Sequence, residues 1–419
     1  MRVSLANSRI EGEVTAPPSK SYTIRGLMCA ALADGESVIR HPLVSDDSQA
    51  ALNVLHDLGI SIRQEKNLWR ISGGSFQKPA GDLYCGDSAA TLRFMTAICA
   101  LVPGRCRLTA GPSLSRRPVR PLVKALKQLG VNCSSQGEVP PVIVEGGTLK
   151  GGTTELPGDI SSQFISALLF IVPCAEEGMS IVLSTPLQSE PYVLMTIDCL
   201  NKFGIQVFQS REKLEAGRQK YQPAEYAVEG DWSSASYFLA LGATSGEITI
   251  GNLNPRSLQG DKIMLNLLGE MGARVREDGN NVTVSKTPLR AVKADLSECI
   301  DLLPTMAALA AVAEGVSEFT GIRRARLKES DRVTAMSEGL SRMGIETTVA
   351  DDTMTITGGI PRGTVVDSYG DHRIAMALSV IGLVAGETVI DGAECVTKTF
   401  PEFWDIIGTI GAEVKINGQ

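Results

Sequence analysis

The chain has 419 residues and carries 40 Lys and Arg against 47 Asp and Glu, so its formal net charge is −7. This acidic balance argues against a nucleic-acid-binding surface, which requires clustered positive charge. Because 43% of the residues are hydrophobic and one core serves only about 250–300 residues, we expect more than one core. Charges interrupt every window of about 20 residues and no apolar stretch follows a basic start, so the sequence predicts neither a transmembrane helix nor a signal peptide.

Hydrophobic spacing, together with the Gly and Pro residues that interrupt it, predicts the following elements in chain order. Two strands in MRVSLANSRIEGEVTA come first, and a helix of small residues follows the turn APPSKS. A strand (ESVIRHP), a polar loop, a second amphipathic helix (ALNVLHDLG) and further strands that include LWRISGG complete the unit. The predicted unit therefore has two helices and mixed strands.

The opening of this unit recurs five more times, beginning at Cys85, Pro157, Glu229, Ser297 and Tyr369. An independent marker is the Gly that commonly follows the last turn of a helix and lets the chain reverse into a strand. Such glycines are found 67 to 74 residues apart, at positions 59, 130, 204, 272, 344 and 411. Since two unrelated markers share one period, the sequence indicates six repeats.

The last repeat is shorter than the others, because only the strand AEVKI follows Gly411. An unpaired strand edge is unfavourable. We therefore expect the N-terminal strands to complete this last unit, so that the chain passes between its two halves more than once.

Nine cysteines lie singly, mostly within apolar runs, and no Cys or His pair has the spacing of a metal site. An odd number of scattered thiols is typical of a reduced, cytoplasmic protein. The sequence thus predicts no disulfide framework and no bound metal.

Basic residues gather near the starts of the predicted helices, where unpaired N–H groups attract anions. In the densest group, RRARLKESDR, Lys328 and Arg332 have the spacing of neighbours on one helix face, beside Glu329. The other basic residues at these turns are Lys20, Arg25, Arg93, Arg116, Arg117, Arg373 and Lys398. An acidic protein with such clusters is expected to bind a substrate with several negative charges.

Each cluster also has a simpler interpretation. A single basic patch can be a solvated face, Ser161 can be only a helix N-cap, and His372 can be a structural histidine. Asp301 is harder to explain in this way, since it lies in the apolar run CIDLLPTMAALAA, where an ionised carboxylate is costly without partners. The sequence has no GxxxxGK[ST] motif and no strand-linked GxGxxG, so nucleotide binding lacks support.

A family resemblance rests on eight motifs: PSKSYTIR, GDSAATLRF, SRRP, GDISSQF, SEPY, RLKESDR, GDHRIAMA and TKTFPEF. Their order and spacing, from Lys20 to Pro401, resemble those of the 5-enolpyruvylshikimate-3-phosphate synthases within the enolpyruvyl transferases. The resemblance implies an α/β fold of two lobes, each an inside-out α/β barrel of three repeats in pseudo-threefold arrangement. The first lobe would comprise residues 14–223 and the second residues 1–13 and 224–419, with hinges near 13–15 and 222–228 and with helix N-termini facing a cleft that closes on substrate.

The implied reaction transfers the enolpyruvyl group of phosphoenolpyruvate to the 5-hydroxyl of shikimate 3-phosphate and releases phosphate. It requires no cofactor and no metal, and the implied protein is a cytoplasmic monomer of the shikimate pathway that makes chorismate and the aromatic amino acids. The implied residues for shikimate 3-phosphate are Lys20, Ser21, Arg25, Ser161, Ser162, Gln163, Ser189, Tyr192, Asp301 and Lys328. Those for phosphoenolpyruvate are Lys20, Asp87, Ala89, Arg117, Gln163, Arg332, His372, Arg373 and Lys398. In catalysis, Asp301 would be the base, Glu329 the acid for the methylene carbon, and Lys20 an aid to proton transfer.

The sequence departs from the family pattern at two positions near the second repeat's helix. Asp87 replaces the usual Asn and is expected to weaken anion binding or to reorient Arg93. Ala89 replaces a frequent Gly, and its methyl group is expected to exclude the inhibitor glyphosate while phosphoenolpyruvate still fits.

Two alternatives remain at this point. One is a UDP-N-acetylglucosamine enolpyruvyl transferase, although the loop SLSRRPVR lacks the reactive Cys of that family. The other is a non-catalytic repeat protein that binds anionic metabolites.

Overall fold

The computed structural model describes residues 1–417, which divide into two compact units. The continuous unit comprises Pro18–Glu229. The split unit comprises Met1–Pro17 and the chain from Gly230 onward. Each unit encloses a hydrophobic core of its own. The boundaries between the units lie after Pro17 and after Glu229, a few residues beyond the predicted boundaries at positions 13 and 223. The first boundary lies later because the second strand of the chain, which belongs to the split unit, continues to Thr15.

Two helices belong to each of six successive repeats. They are α1 (Lys20–Leu32), α2 (Asp46–Asp57), α3 (Ala89–Ile98), α4 (Arg120–Gln128), α5 (Ser162–Ile171), α6 (Glu190–Lys202), α7 (Trp232–Ser245), α8 (Met264–Glu270), α9 (Leu303–Ala310), α10 (Arg332–Arg342), α11 (His372–Ala385) and α12 (Phe403–Thr409).

The strands are short and have two to eight residues each. They are β1 (Arg2–Leu5), β2 (Ile10–Thr15), β3 (Gly35–Arg40), β4 (Ser61–Glu65), β5 (Leu68–Gly73), β6 (Leu83–Tyr84), β7 (Gly104–Thr109), β8 (Asn132–Gln136), β9 (Val139–Gly146), β10 (Gly152–Leu156), β11 (Met179–Leu183), β12 (Phe208–Gln209), β13 (Lys213–Ala216), β14 (Glu225–Ala227), β15 (Gly246–Gly251), β16 (Arg274–Asp278), β17 (Asn281–Ser285), β18 (Lys293–Asp295), β19 (Val316–Thr320), β20 (Glu346–Val349), β21 (Thr353–Thr357), β22 (Val365–Asp367), β23 (Thr388–Asp391) and β24 (Val414–Asn417).

These strands form six four-stranded mixed sheets, three in each unit. The continuous unit has the orders β14-β3-β5-β4, β6-β7-β9-β8 and β10-β11-β13-β12. The split unit has β16-β17-β15-β2, β18-β19-β21-β20 and β22-β23-β1-β24. Every sheet has one parallel pair, for example β10 with β11, and two antiparallel pairs. The predicted α/β fold of six repeated two-helix, mixed-strand units is thereby confirmed.

The N-terminal strand β1 occupies an interior place in the sixth sheet. It pairs antiparallel with β23 on one side and with β24 on the other. In the fifth sheet the corresponding position is occupied by β21, a strand of the fifth repeat itself. β1 therefore supplies the strand that the sixth repeat lacks, and β2 adds to a different sheet by pairing parallel with β15.

The first helix of each repeat lies inside its unit. In the split unit, α7, α9 and α11 pack against one another, and every residue of α7 is buried. α7 also packs closely on β17, where a Cβ at Gly242 would lie 2.7 Å from the Val284 carbonyl oxygen. A helix that is apolar on every side is typical of a buried helix. Among the described residues, no helix has both the length and the apolar character needed to cross a bilayer.

Truncation of Leu5 tests the structural role of β1. Leu5 is 2% exposed and pairs with Thr388 and Val414. Leu5→Ala should lower the free energy of unfolding by about 2–5 kcal/mol, because it leaves a cavity beneath a central strand. Its neighbour Ser4 lies on the opposite face, and Ser4→Ala should change the value by less than about 0.5 kcal/mol. Urea unfolding of both variants measures the difference, and equal effects would contradict the placement of β1.

Candidate functional site

The predicted residues of the continuous unit lie in or just before the first two turns of α1, α3, α5 and α6, except Arg117, which lies in the loop before α4. Serine side chains cap three of these helices: Ser19 accepts a hydrogen bond from the Tyr22 N–H, Ser88 from Thr91 and Ser161 from Gln163. These caps leave the remaining N–H groups of each first turn directed outward along the helix axis. Ser161 therefore caps α5, and its Oγ is also the acceptor of a hydrogen bond from Arg93.

Lys20 begins α1 and forms an ion pair with α2. Its Nζ lies 3.1 Å from Asp47 Oδ2, and Asp47 is buried. Asp47 was not predicted as a site residue, although its position in the first turn of α2, after the Ser45 cap, was a usable signal. The pair fixes the Lys20 ammonium group at the start of α1.

Arg25 is buried and all of its donor groups bond within the protein. Its Nε donates to Thr196 Oγ1 at 2.8 Å, and Nη1 and Nη2 donate to the Ser21 and Tyr192 carbonyl oxygens, each at 3.0 Å. The guanidinium carbon also lies 5.4 Å from the centre of the Phe94 ring. Arg25 therefore positions the first turn of α6, which carries Tyr192, against α1.

Arg93 connects α3 with the start of α5. Its Nη1 donates to Ser161 Oγ at 3.1 Å and to Gln163 Oε1 at 2.7 Å. Its guanidinium also lies 4.8 Å from the centre of the Phe164 ring. Arg93 thus orients two predicted ligand-binding side chains. Ser162 is buried beside them, while Ser189 is buried at the start of α6 in a left-handed backbone conformation, with φ of 56°.

Asp87 fixes the loop that precedes Arg117. Its Oδ1 accepts a hydrogen bond from the Leu114 N–H at 2.9 Å. Leu114 begins a 3-10 turn that ends at Arg116, so the bond anchors the turn just before Arg117, which is itself buried. Ala89, the first residue of α3, is 5% exposed. The carboxylate at position 87 therefore has a loop-fixing contact that the sequence did not predict.

In the split unit, Arg332 is 1% exposed and bonds to three carboxylates. Its Nε and Nη2 donate to the two oxygens of Asp371 at 2.7 and 3.2 Å. Its Nη1 lies 2.7 Å from Asp301 Oδ1 and its Nη2 lies 2.8 Å from Glu329 Oε2. We call these four residues the Arg332 cluster. Burial lowers the pKa of Arg332, but the three carboxylates outweigh burial and raise it above its ordinary value.

Asp301 faces three cations. Lys328 Nζ lies 3.1 Å and Arg332 Nη1 2.7 Å from its Oδ1, while Arg373 Nη2 lies 3.4 Å from its Oδ2. Burial raises the pKa of Asp301, but Arg373, Lys328 and Arg332 outweigh burial and hold it well below the ordinary value. The carboxylate is therefore ionised and has the partners that its apolar sequence surroundings required.

Asp301 lies in a 3-10 turn, Ile300–Leu302, that leads directly into α9, where Pro304 favours the helix start. One local prediction in this unit is wrong. Lys328 does not share a helix face with Arg332, since Asp331 caps α10 and the helix begins only at Arg332. Lys328 and Arg332 nevertheless both reach Asp301.

The predicted site of the split unit has four more residues: Glu329, Lys398, His372 and Arg373. Lys398 Nζ lies 3.4 Å from Glu329 Oε1, at the end of a 3-10 segment. His372 is 1% exposed and Arg373 is buried at the start of α11, where the Asp371 side chain caps the helix. Asp371 was not assigned a role from the sequence, although the GDHR motif contains it, and it both caps α11 and pairs with Arg332.

The arrangement in the split unit has four cations against three carboxylates. Each of these cations is paired with a carboxylate of the protein, and an incoming anion can take the place of that carboxylate as its partner. Among residues 1–417, no group of three or more His, Cys, Asp or Glu is placed to hold a metal ion.

Comparison with known proteins identifies the family. Residues 5–407 match the family model described as EPSP synthase (3-phosphoshikimate 1-carboxyvinyltransferase). A protein named 3-phosphoshikimate 1-carboxyvinyltransferase from Dehalococcoides mccartyi is 50% identical over 99% of both chains. One of the same name from Methanothermobacter thermautotrophicus is 41% identical over 98% of both.

Solved structures agree with this assignment. EPSP synthase from Acinetobacter baumannii superposes with a TM-score of 0.83 at 29% identity, over 99% of this chain and 100% of that one. The family predicted from the sequence motifs is confirmed, and neither alternative gains support. The chain belongs to the EPSP synthase family, the 3-phosphoshikimate 1-carboxyvinyltransferases, which transfer the enolpyruvyl group of phosphoenolpyruvate to shikimate 3-phosphate.

Proposed function

We propose that this enzyme performs the transfer by addition and elimination, with Asp301 as the base for the 5-hydroxyl. The observation that carries the proposal is the ionised, largely enclosed Asp301 carboxylate, whose side chain is 13% exposed and which lies within 3.4 Å of Lys328, Arg332 and Arg373. An anionic substrate that draws these cations away makes the carboxylate more basic, because less positive charge then stabilises its ionised form.

Shikimate 3-phosphate is held mainly by hydroxyl, amide and basic groups of the continuous unit. The helix start at Ser161 and Ser162 offers N–H groups and side-chain hydroxyls to the phosphate, an arrangement that favours anions. The full set is Lys20, Ser21, Ser161, Ser162, Gln163, Ser189 and Tyr192, with Lys328 and Asp301 of the split unit. Arg25 contributes by positioning Tyr192, since its donors bond to protein oxygens.

Phosphoenolpyruvate is held by cations that surround its phosphate and carboxylate. These are Lys20, Arg117, Arg332, Arg373 and Lys398, with Gln163 and His372 alongside. Charge-assisted hydrogen bonds of this kind contribute about 1.5–3 kcal/mol each. Asp87 acts here by fixing the loop before Arg117, and Ala89 restricts the space beside it.

The chemical steps follow from these positions. The 5-hydroxyl oxygen attacks C2 of phosphoenolpyruvate as its proton passes to Asp301, and Glu329, which takes up a proton when the substrate anions draw Arg332 and Lys398 away from it, delivers that proton to the methylene carbon. The methyl group of the tetrahedral intermediate then returns a proton to Glu329 as the bond from C2 to the phosphate oxygen breaks, which gives the enolpyruvyl ether and phosphate. Lys20 assists proton transfer. Holding both substrates in reacting geometry can lower the barrier by about 7–11 kcal/mol.

We also propose that the enzyme is a cytoplasmic monomer that uses no cofactor. All nine cysteines are free thiols, which suits a reducing compartment. Each unit buries its own hydrophobic core, so neither depends on a second chain to complete it. Sedimentation of the purified protein measures the oligomeric state.

Removal of the base tests the proposed mechanism. Asp301→Asn should lower kcat about 10²–10⁴-fold, because the variant cannot accept the 5-hydroxyl proton. The assay is phosphate release with both substrates saturating. Asp278→Asn, at an exposed position of the same unit, should retain kcat. Retention of more than about a tenth of kcat by Asp301→Asn would exclude it as the base.

Ala89→Gly tests the proposed exclusion of glyphosate. Relief of an overpacked contact worth about 1–3 kcal/mol should lower the inhibition constant of glyphosate by about 5- to 150-fold. The KM for phosphoenolpyruvate should change little, since that substrate already fits. Ala90→Gly, at the next position of α3, is the matched control for the helix destabilisation that Gly causes. Tight glyphosate inhibition of the unaltered enzyme would contradict the proposal.

A further inference from the structure

Asp261 is a buried carboxylate that none of the roles above includes. It lies in the 3-10 turn Gly260–Ile263 that leads into α8 and is 3% exposed. The turn packs against the start of α7, where the Trp232 N–H donates to Gln259 Oε1 at 3.0 Å, and the adjacent Ser233 hydroxyl acts on the Asp261 carboxyl group to lower its pKa. The Asp261 Oδ1 is buried with no hydrogen-bond partner. A buried carboxylate with an unsatisfied oxygen is costly, so a structural role alone does not account for it.

Ser233 connects Asp261 to Arg373. The Arg373 Nη1 donates a hydrogen bond to Ser233 Oγ, while its Nη2 faces Asp301 Oδ2 at 3.4 Å. Ser233 is itself buried in the first turn of α7. The guanidinium of Arg373 is therefore held on one side by the carboxylate proposed as the base and on the other by a serine that lies beside Asp261.

We propose that Asp261 is a positioning residue of the reaction, which acts through Ser233 to set how strongly Arg373 is held inside the protein and how available it is to phosphoenolpyruvate. An ionised Asp261 attracts the guanidinium and offsets its charge. A neutral Asp261 leaves that charge for the substrate. The inference rests on the proposed binding of phosphoenolpyruvate by Arg373.

The surroundings of Asp261 allow both its ionised and its protonated form near neutral pH. Burial raises the pKa of Asp261 to about 7, Arg373 opposes this rise, and the carboxylates of Asp301 and Asp231 add to it. The Cys299 thiol lies close enough for its own pKa to be raised in part by Asp261. Because a bound anion at Arg373 disfavours a second negative charge nearby, substrate binding should favour the protonated form of Asp261.

The test compares the unaltered enzyme with Asp261→Asn, a permanently neutral side chain of the same shape. The KM for phosphoenolpyruvate is measured from about pH 5.5 to about pH 8.5 at saturating shikimate 3-phosphate, by phosphate release. The ratio of the unaltered KM to the variant KM should rise from near one at low pH to about three- to tenfold at high pH, with a midpoint near neutrality. Titration of the substrate phosphate affects both proteins alike and cancels in the ratio.

Ser233→Ala is the second variant and removes the connection without changing a charge. The Ser233→Ala variant should lose most of the pH dependence of the KM for phosphoenolpyruvate that is attributed to Asp261. Asp278→Asn, on the surface of the same unit, should give a ratio of one at every pH. The KM for shikimate 3-phosphate should be unaffected in all three.

A ratio that stays flat across this pH range, or equal changes in the KM values of both substrates, would overturn the role of Asp261. Arg373→Lys separates this result from a failure of the proposed function. If Arg373→Lys raises the KM for phosphoenolpyruvate while the ratio stays flat, only the inference about Asp261 is wrong. If Arg373→Lys leaves that KM unchanged, the proposed role of Arg373 is wrong as well.

Discussion

The split unit depends on one buried cation. Arg332 is almost completely withdrawn from solvent, and burial of an unpaired guanidinium is prohibitively costly. Asp371 meets this cost with a two-oxygen contact, the fork geometry in which Arg and carboxylate pair most strongly. Because Asp371 also caps α11, the same carboxylate fixes the helix start that carries His372 and Arg373. One ion pair thus joins α10 to α11.

Asp301 and Glu329 take part in the same balance. Each is bonded to Arg332 and to a further cation, Lys328 or Lys398. Because these carboxylates lie between the cations, their attraction offsets the repulsion among the cations, which can therefore stay close together. Substrate anions can then replace internal carboxylates as partners, which links binding to the basicity of Asp301.

The repeat period and the closing role of the N-terminal strands could be inferred from the sequence, because glycines after helices and small-residue helices leave a regular mark at each repeat. The motifs also pointed to most of the candidate site. What the sequence did not reveal were partners contributed by distant segments: Asp47 for Lys20, Thr196 for Arg25 and Ser233 for Arg373. In the sequence, Thr196 and Ser233 resemble ordinary buried hydroxyls, and the place of Asp47 in the first turn of α2 was the one local signal. The start of α10 was also missed, since Asp331 decides it through capping geometry that periodicity does not record.

The interior place of β1 has a consequence for biosynthesis. Its partners β23 and β24 leave the ribosome only after more than 380 further residues have been made, since 388 − 5 = 383. All the segments of the continuous unit emerge before then and can form their core while translation proceeds. β1 must therefore stay unpaired until β23 and β24 have been made, and the sixth sheet forms only after the whole continuous unit has been translated.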